Sequence, residues 1–372
     1  MSGIGIYVHV PFCRRKCPYC DFYSVSSKGM DAVKQQYTDT VCRSMEREER
    51  IFADTLYFGG GTPVQLSPDQ IGKIIDTAKN RFGLSGEITA EANPGEVDFA
   101  MLYQLREAGV NRLSFGMQSA KEEELRVLGR RHSAQQVKEA VTLAKQAGFD
   151  NLSVDIMLGV PKHTLEHLER TLCFLGELDI QHVSAYMLKI EEGTPFAHPV
   201  IEKMLPDEDL VCDSYLLACQ RLEEMGFSQY EISNFAKPGW ESRHNLKYWN
   251  RQEYMAFGPS AHGFQNGVRY YYPRDLEAYL TSDGTNRLIE EDGVDPLEES
   301  VMLGLRLKAG IFPKNLFENH AVNQDKFWKQ VERYCAYGLM CQEGDRIFLT
   351  PKGFLVSNSI IAELELMLDE GK

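Results

Sequence analysis

Cys13-Arg14-Arg15-Lys16-Cys17-Pro18-Tyr19-Cys20 puts three thiols into one short loop, directly after the apolar run Ile4-Gly5-Ile6-Tyr7-Val8-His9-Val10. Three thiolates can ligate three irons of a 4Fe–4S cluster, whose usual complement is four cysteines. The fourth iron is then open to a small molecule, as a catalytic metal keeps a free position that a structural metal lacks. The competing reading is a zinc knuckle, but zinc sites usually pair C-x2-C with a second ligand pair further on. No Cys lies between Cys20 and Cys42, and no second C-x2-C occurs in the chain. The spacing favours the cluster.

Outward from that loop, residues 4 to about 190 repeat one unit: a short apolar run, a polar turn, then a helical stretch. Strands are predicted at Ile4–Val10, Thr55–Phe58, Ile88–Ala92, Arg112–Met117, Leu152–Met157 and His182–Leu188. Helices are predicted near 31–50, 68–82, 98–108, 121–128, 134–147 and 164–177. Ser67 before Pro68, Asp98 and Ser133 are helix-starting types, while Gly109 and Gly148 suit left-handed C-caps. Strands alternating with helices of this length imply right-handed βαβ crossovers and a parallel sheet. The predicted class is α/β, an incomplete (βα)6 barrel related to the eight-unit TIM form. A doubly wound open sheet is the competing arrangement.

Parallel sheets of either kind gather their sites at the C-terminal ends of the strands. Thr62, Glu91, Gln118 and Asp155 sit at or near such ends, and Tyr7 lies in the first strand, just ahead of the cysteine loop. A polar side chain buried in an apolar strand is unfavourable unless it finds partners, so several at corresponding ends favour a ligand. In Tyr57-Phe58-Gly59-Gly60-Gly61-Thr62-Pro63, three consecutive glycines permit positive φ and close backbone approach. A tight turn is the plain alternative. A phosphate-binding P-loop is excluded, because no Gly-Lys-Ser/Thr follows.

Composition bounds the answer further. A chain of 372 residues is long for one domain and suggests two. The 43% hydrophobic and 25% charged content is that of a soluble globular protein, and no apolar run approaches the ~20 residues that span a bilayer. A cytoplasmic protein without a transmembrane segment is expected. The N-terminus lacks the order of a signal peptide. The other six cysteines (Cys42, Cys173, Cys212, Cys219, Cys335, Cys341) have no framework spacing, as expected of reduced thiols. A net charge of -14 argues against broad nucleic-acid binding, which needs Lys and Arg against phosphates.

The C-x3-C-x2-C spacing resembles the signature of radical S-adenosylmethionine enzymes. In that family the cofactor's amino and carboxylate groups chelate the open iron. An electron, passed in by a donor protein, then cleaves the sulfonium to a 5′-deoxyadenosyl radical. The glycine turn is similar to the family's G-G-x-T/P element, which hydrogen-bonds the methionine amino group. Over nearly the whole chain the match narrows. His9-Val10-Pro11-Phe12-Cys13, Glu91-Ala92-Asn93-Pro94, Ser114-Phe115-Gly116-Met117-Gln118-Ser119 and Asp155-Ile156-Met157-Leu158-Gly159-Val160-Pro161 resemble the oxygen-independent coproporphyrinogen III oxidase superfamily. Glu192-Gly193-Thr194-Pro195 and Tyr230-Glu231-Ile232-Ser233-Asn234-Phe235-Ala236 do so too. The resemblance implies a 4Fe–4S cluster on Cys13, Cys17 and Cys20, with Tyr7, Gly60 and Glu91 on the S-adenosylmethionine bound to it. It also implies that Tyr19, Gly61, Thr62, Gln118, Arg130 and Asp155 line the same cavity, where the oxidase branch holds a second S-adenosylmethionine.

Two departures lead away from the oxidase itself. Its members carry a further Cys two residues after the third, whereas here Asp21-Phe22 follows Cys20. They also carry tens of residues ahead of the cluster, which here begins at residue 13. His244-Asn245-Leu246-Lys247-Tyr248-Trp249 instead fits H-N-x-x-Y-W, a motif of the superfamily's haem-chaperone branch, whose members bind haem and pass it to acceptor haemoproteins. That resemblance implies haem as cargo, no coproporphyrinogen III dehydrogenase activity, and leaves cofactor cleavage open. In a helix His244 and Tyr248 share a face, and neutral imidazole is a usual haem-iron ligand. His244 is the candidate ligand, at an exposed, reversible site, with His262 in Gly258-Pro259-Ser260-Ala261-His262-Gly263 as its rival. The expected organisation is a barrel with its cluster loop over 1–200, a family-specific extension with the haem motif over 201–285, and a small, mainly helical, winged-helix-like domain over 286–372. Residues 290–372 carry 15 acidic and 9 basic residues, which speaks against DNA and for packing on the barrel or an acceptor protein.

Overall fold

Caps and alternation place the βα units where the sequence predicts them. The computed structural model describes residues 3–290, 295–317 and 324–369. Strands β1 (Ile4–Val10), β2 (Ala53–Gly60), β3 (Glu87–Ala92), β4 (Arg112–Gln118), β5 (Asn151–Leu158) and β6 (His182–Met187) lie side by side in that order, all parallel. Between them run α1 (Asp31–Arg47), α2 (Pro68–Phe82), α3 (Phe99–Ala108), α4 (Glu122–Val127), α5 (Ala134–Gln146) and α6 (Leu165–Leu175). Ser67 and Ser133 each close a capping box, with Gln70 and Gln136 respectively, and the Asp98 carboxylate accepts from the Met101 amide. Gly83 and Gly109 end α2 and α3 in the left-handed region.

Val8, Val10, Leu56, Phe58, Val154 and Ile156 are fully buried between sheet and helices. The residues that alternate with them (Tyr7, Tyr57, Glu91, Asp155) stay partly accessible on the inner face. Helix α1 packs on α2, α2 on α3, and α3 on α5. The helices thus follow one another in a single layer outside the curved sheet, so the fold is the incomplete barrel rather than the doubly wound sheet. No helix among the described residues is long and apolar enough to cross a membrane.

The sheet is larger than alternation predicts, with twelve strands among the described residues rather than six. Beyond β6 lie β8 (Asn234–Ala236) and β7 (Ser228–Gln229), antiparallel; beyond β1 lie β9 (Tyr254–Phe257), parallel to it, then β10 (His262–Gln265), β11 (Val268–Tyr271) and β12 (Leu288–Ile289), antiparallel. These strands are two to four residues long, too short for period-two alternation to register. The segment between the barrel and the C-terminal helices is thereby built into both edges of one sheet. It also carries α7 (Glu208–Glu224) and α8 (Arg243–Trp249). The C-terminal region is mainly helical, with Pro296–Gly304, Gln324–Ala336 and Ser357–Asp369 around one antiparallel hairpin of Met340–Glu343 and Arg346–Leu349.

Candidate functional site

The three thiols stand at the mouth of a cavity of about 400 Å³ inside the barrel, and all are free. A side-chain belt fixes their loop. Cys13 Sγ meets Thr62 Oγ1 at 3.6 Å, Asn93 Nδ2 donates to the same hydroxyl at 3.1 Å, and Arg130 Nη2 donates to Asn93 Oδ1 at 2.7 Å. Arg130 closes the belt with Nη1 on Cys17 Sγ at 3.5 Å and also donates to the Gly116 carbonyl. The backbone adds two bonds, Gly61 N to Val10 O at 2.9 Å and Thr62 N to Phe12 O at 2.8 Å. Gly60 has φ +102, and a Cβ there would lie 2.5 Å from the His9 ring, so this turn requires glycine. Burial pushes the Cys20 thiol up to about 11, with the Cys17 and Cys13 sulfurs adding to the rise. A cation that neutralises all three sulfurs would reverse this. Among the described residues no three His, Cys, Asp or Glu side chains are placed around a single metal ion; the thiols rim a wider space.

Deeper in the cavity two carboxyls face inward. Burial raises Glu91 to about 7, with the like charge of Asp155 adding, although Tyr57 Oη donates to its Oε1 at 2.8 Å. Asp155 is also raised by burial, which bonds from Ser184 and from Ser114 Oγ at 3.1 Å only partly offset. The guanidinium of Arg112 is buried within the field of Glu87 and Asp155, and its Nε has no hydrogen-bond partner among the described residues. Two buried carboxyls facing one cavity suit a ligand that brings positive charge. The amino group and sulfonium of S-adenosylmethionine are such charges, and a 4Fe–4S cluster suits three free thiols beside an arginine. The residues therefore fit both groups.

Of the residues expected to act together, Cys13, Cys17, Cys20, Tyr19, Gly60, Gly61, Thr62, Glu91, Gln118, Arg130 and Asp155 all line this cavity. Tyr7 lines an adjoining space of about 530 Å³ that shares Tyr57, Glu91, Tyr186 and Asn245 with it. Sequence reasoning singled out neither Asn93 nor Arg112 as a site residue. Asn93 was legible as part of Glu91-Ala92-Asn93-Pro94, and Arg112 as a charge opening an apolar strand.

His244 is not where the motif suggested. Its side chain is fully buried rather than exposed. Nδ1 is hydrogen-bonded to Thr55 Oγ1 at 2.9 Å and Nε2 to Tyr248 Oη at 2.7 Å, while the Tyr57 ring stacks at 5.2 Å. Burial, with Lys247 and Arg112 adding, pushes its pKa down to about 3, so the ring is neutral. An iron at either nitrogen would have to displace a hydroxyl from the core. Helix α8 is held there because the Glu87 carboxylate accepts from the Arg243 and His244 amides at 3.2 and 3.1 Å. His262 is exposed.

This fold and cavity define a radical S-adenosylmethionine protein, and comparison with known proteins agrees. Residues 7–175 match the radical SAM superfamily, and residues 292–356 match the HemN C-terminal domain. The solved structure of coproporphyrinogen III oxidase (HemN) from Escherichia coli superposes with a TM-score of 0.83 at 21% identity, covering 97% of this chain and 90% of that one. The heme chaperone HemW of Bacillus subtilis (strain 168) is 34% identical over 95% of this chain and 97% of its own length. That of Escherichia coli (strain K12) is 34% identical over 100% and 99%. The chain belongs to the HemW family.

Proposed function

We propose that this protein is a haem chaperone, binding haem and handing it to acceptor haemoproteins, built on a radical S-adenosylmethionine scaffold. One observation carries the reading: relatives named as heme chaperones match it at 34% identity along almost their entire length. Cys13, Cys17 and Cys20 hold the 4Fe–4S cluster, steadied by Thr62, Asn93 and Arg130. When bound, cluster and S-adenosylmethionine together supply one-electron chemistry at the cofactor's sulfonium. The protein's own part is positioning and charge. Glu91 and the Gly60–Thr62 turn take the methionine end, Asp155 and Arg112 set the field behind it, and Tyr19 with the cluster loop covers the mouth. Haem is cargo and uses ligands outside the cluster set.

The test is a haem titration of the anaerobically reconstituted full-length protein, beside an anaerobic assay with coproporphyrinogen III, S-adenosylmethionine and a reductant. A stoichiometric Soret band without decarboxylation is expected. In parallel, Cys13→Ser, Cys17→Ser or Cys20→Ser should each abolish the iron while leaving haem binding in place. Decarboxylation without haem binding would replace the chaperone by the oxidase reading, and stoichiometric zinc without iron would overturn the cluster.

A further inference from the structure

The haem-chaperone reading needs an accessible iron ligand, and most histidines cannot serve. His9, His182 and His244 have both ring nitrogens engaged. His132 and His163 are buried on the Met117 carbonyl and on Glu124, and His167 Nδ1 is bonded to the same carboxylate; His198 is exposed, with Nδ1 taken by the Val200 amide. His262 differs. It is exposed, and no hydrogen bond to either ring nitrogen occurs among the described residues.

Register explains what surrounds it. His262 on β10 is directly opposite Tyr271 on β11, which is directly opposite Leu288 on β12. Opposed residues on neighbouring strands project from the same face, so an imidazole, an aromatic ring and an aliphatic chain form one row across the outer edge of the sheet. The His262 and Tyr271 rings are stacked, with centroids 5.5 Å apart. Leu288 is 47% and Ile289 57% exposed, an unusual apolar pair for a sheet margin. Together these residues line an open groove of about 800 Å³.

Charged residues also line the groove: Arg274, which follows β11, and Glu290, whose amide bonds the Arg269 carbonyl at 3.0 Å. Arg274 reaches Asp21, the residue after Cys20, by an ion pair at 3.2 Å and a bond to its carbonyl. The groove therefore opens beside the cluster loop without sharing a ligand with it.

We propose, resting on the chaperone reading, that this groove is the haem-docking site: His262 is the axial ligand, Tyr271 and Leu288 carry the macrocycle, and Arg274 meets a propionate. An apolar disc with carboxylates on one edge and a metal needing a neutral nitrogen matches the row, the open face and the single cation. Edge placement also suits a carrier, since an acceptor can approach the exposed side of the ring and take it.

The experiment is ferric haem titration of full-length wild type, His262→Ala, His262→Gly with and without imidazole, and Leu288→Glu, read by the Soret band. His262 is exposed, so these variants should fold, and circular dichroism checks that they do. Expected results are a lost or shifted Soret band and at least tenfold weaker binding for His262→Ala, return of the wild-type spectrum on adding imidazole to His262→Gly, and severalfold weaker binding for Leu288→Glu. His262→Ala with wild-type spectrum and affinity overturns the groove and leaves the chaperone reading intact. Failure of the wild type to bind haem overturns that reading itself.

Discussion

Replacing Glu91 by Gln separates what this carboxylate does for a ligand from its effect on the empty fold. In the ligand-free protein the Glu91 carboxyl is held at about 7, against 4.5 for the free side chain, mainly by burial and then by Asp155. The folded chain thus keeps its proton up to about pH 7, whereas the unfolded chain releases it near 4.5. Stability from this group is complete below pH 4.5 and is lost as pH rises through 7. The interval between 4.5 and 7, at ~1.36 kcal/mol per pH unit, amounts to roughly 3 kcal/mol at pH 8. The carboxyl is partly accessible from the cavity, so solvent screening makes this figure an upper bound. Glutamine cannot ionise, and its amide oxygen can still accept from Tyr57. Ligand-free Glu91→Gln should therefore match wild type at pH 4.5 and exceed it by up to roughly 3 kcal/mol at pH 8 in urea denaturation. S-adenosylmethionine should respond in the opposite sense. Losing a charge-assisted bond of ~1.5–3 kcal/mol weakens its binding roughly 10- to 100-fold, read by calorimetry on the reconstituted protein. A glutamine variant no more stable than wild type at pH 8, or one that binds the cofactor as tightly, would refute the reasoning.

Three further outcomes are expected. Gly60→Ala forces a Cβ onto the His9 ring at φ +102, so thermal denaturation should show a loss of about 1–3 kcal/mol. Arg112→Met removes a buried cation whose charge acts on Glu87 and Asp155; a loss of about 1–3 kcal/mol is expected in urea denaturation at pH 8, and a variant as stable as wild type would count against it. His244→Ala unpairs Thr55 and Tyr248 and should lower stability by about 1–3 kcal/mol or more, yet leave the Soret band of the haem complex in place; a shifted band in a folded variant would return the ligand role to His244.

Much of this was legible in the sequence because local and global signals agree. The six long strands and their helices lie close to their predicted bounds, since Ser67, Asp98, Ser133 and Gly109 act through local geometry that needs no knowledge of the rest. The cavity was legible for a related reason: Glu91 and Asp155 are acidic residues set within apolar strands. The edge strands were not, being too short to show a period. The partners of Arg112 were hidden because they come from neighbouring strands. His244 misleads because an imidazole four residues before a tyrosine reads alike whether the pair faces an iron or bonds to each other in the core. Only Thr55, far away in the chain, decides between them.

Among the strands of this sheet β1 leaves the ribosome first, yet it lies between β2 and β9, paired with Tyr254–Phe257 on its far side. Until residue 257 has been made, one flank of Ile4–Val10 offers bare amides and carbonyls to any passing strand. The loop bearing Cys13, Cys17 and Cys20 hangs from that unfinished edge, and Arg130 must also be present to brace it. Iron delivered early in synthesis would meet thiols on a half-built support. Iron delivered after release would meet them already braced. A fully supported cysteine loop therefore requires the chain through residue 257, where Tyr254–Phe257 covers the far flank of Ile4–Val10.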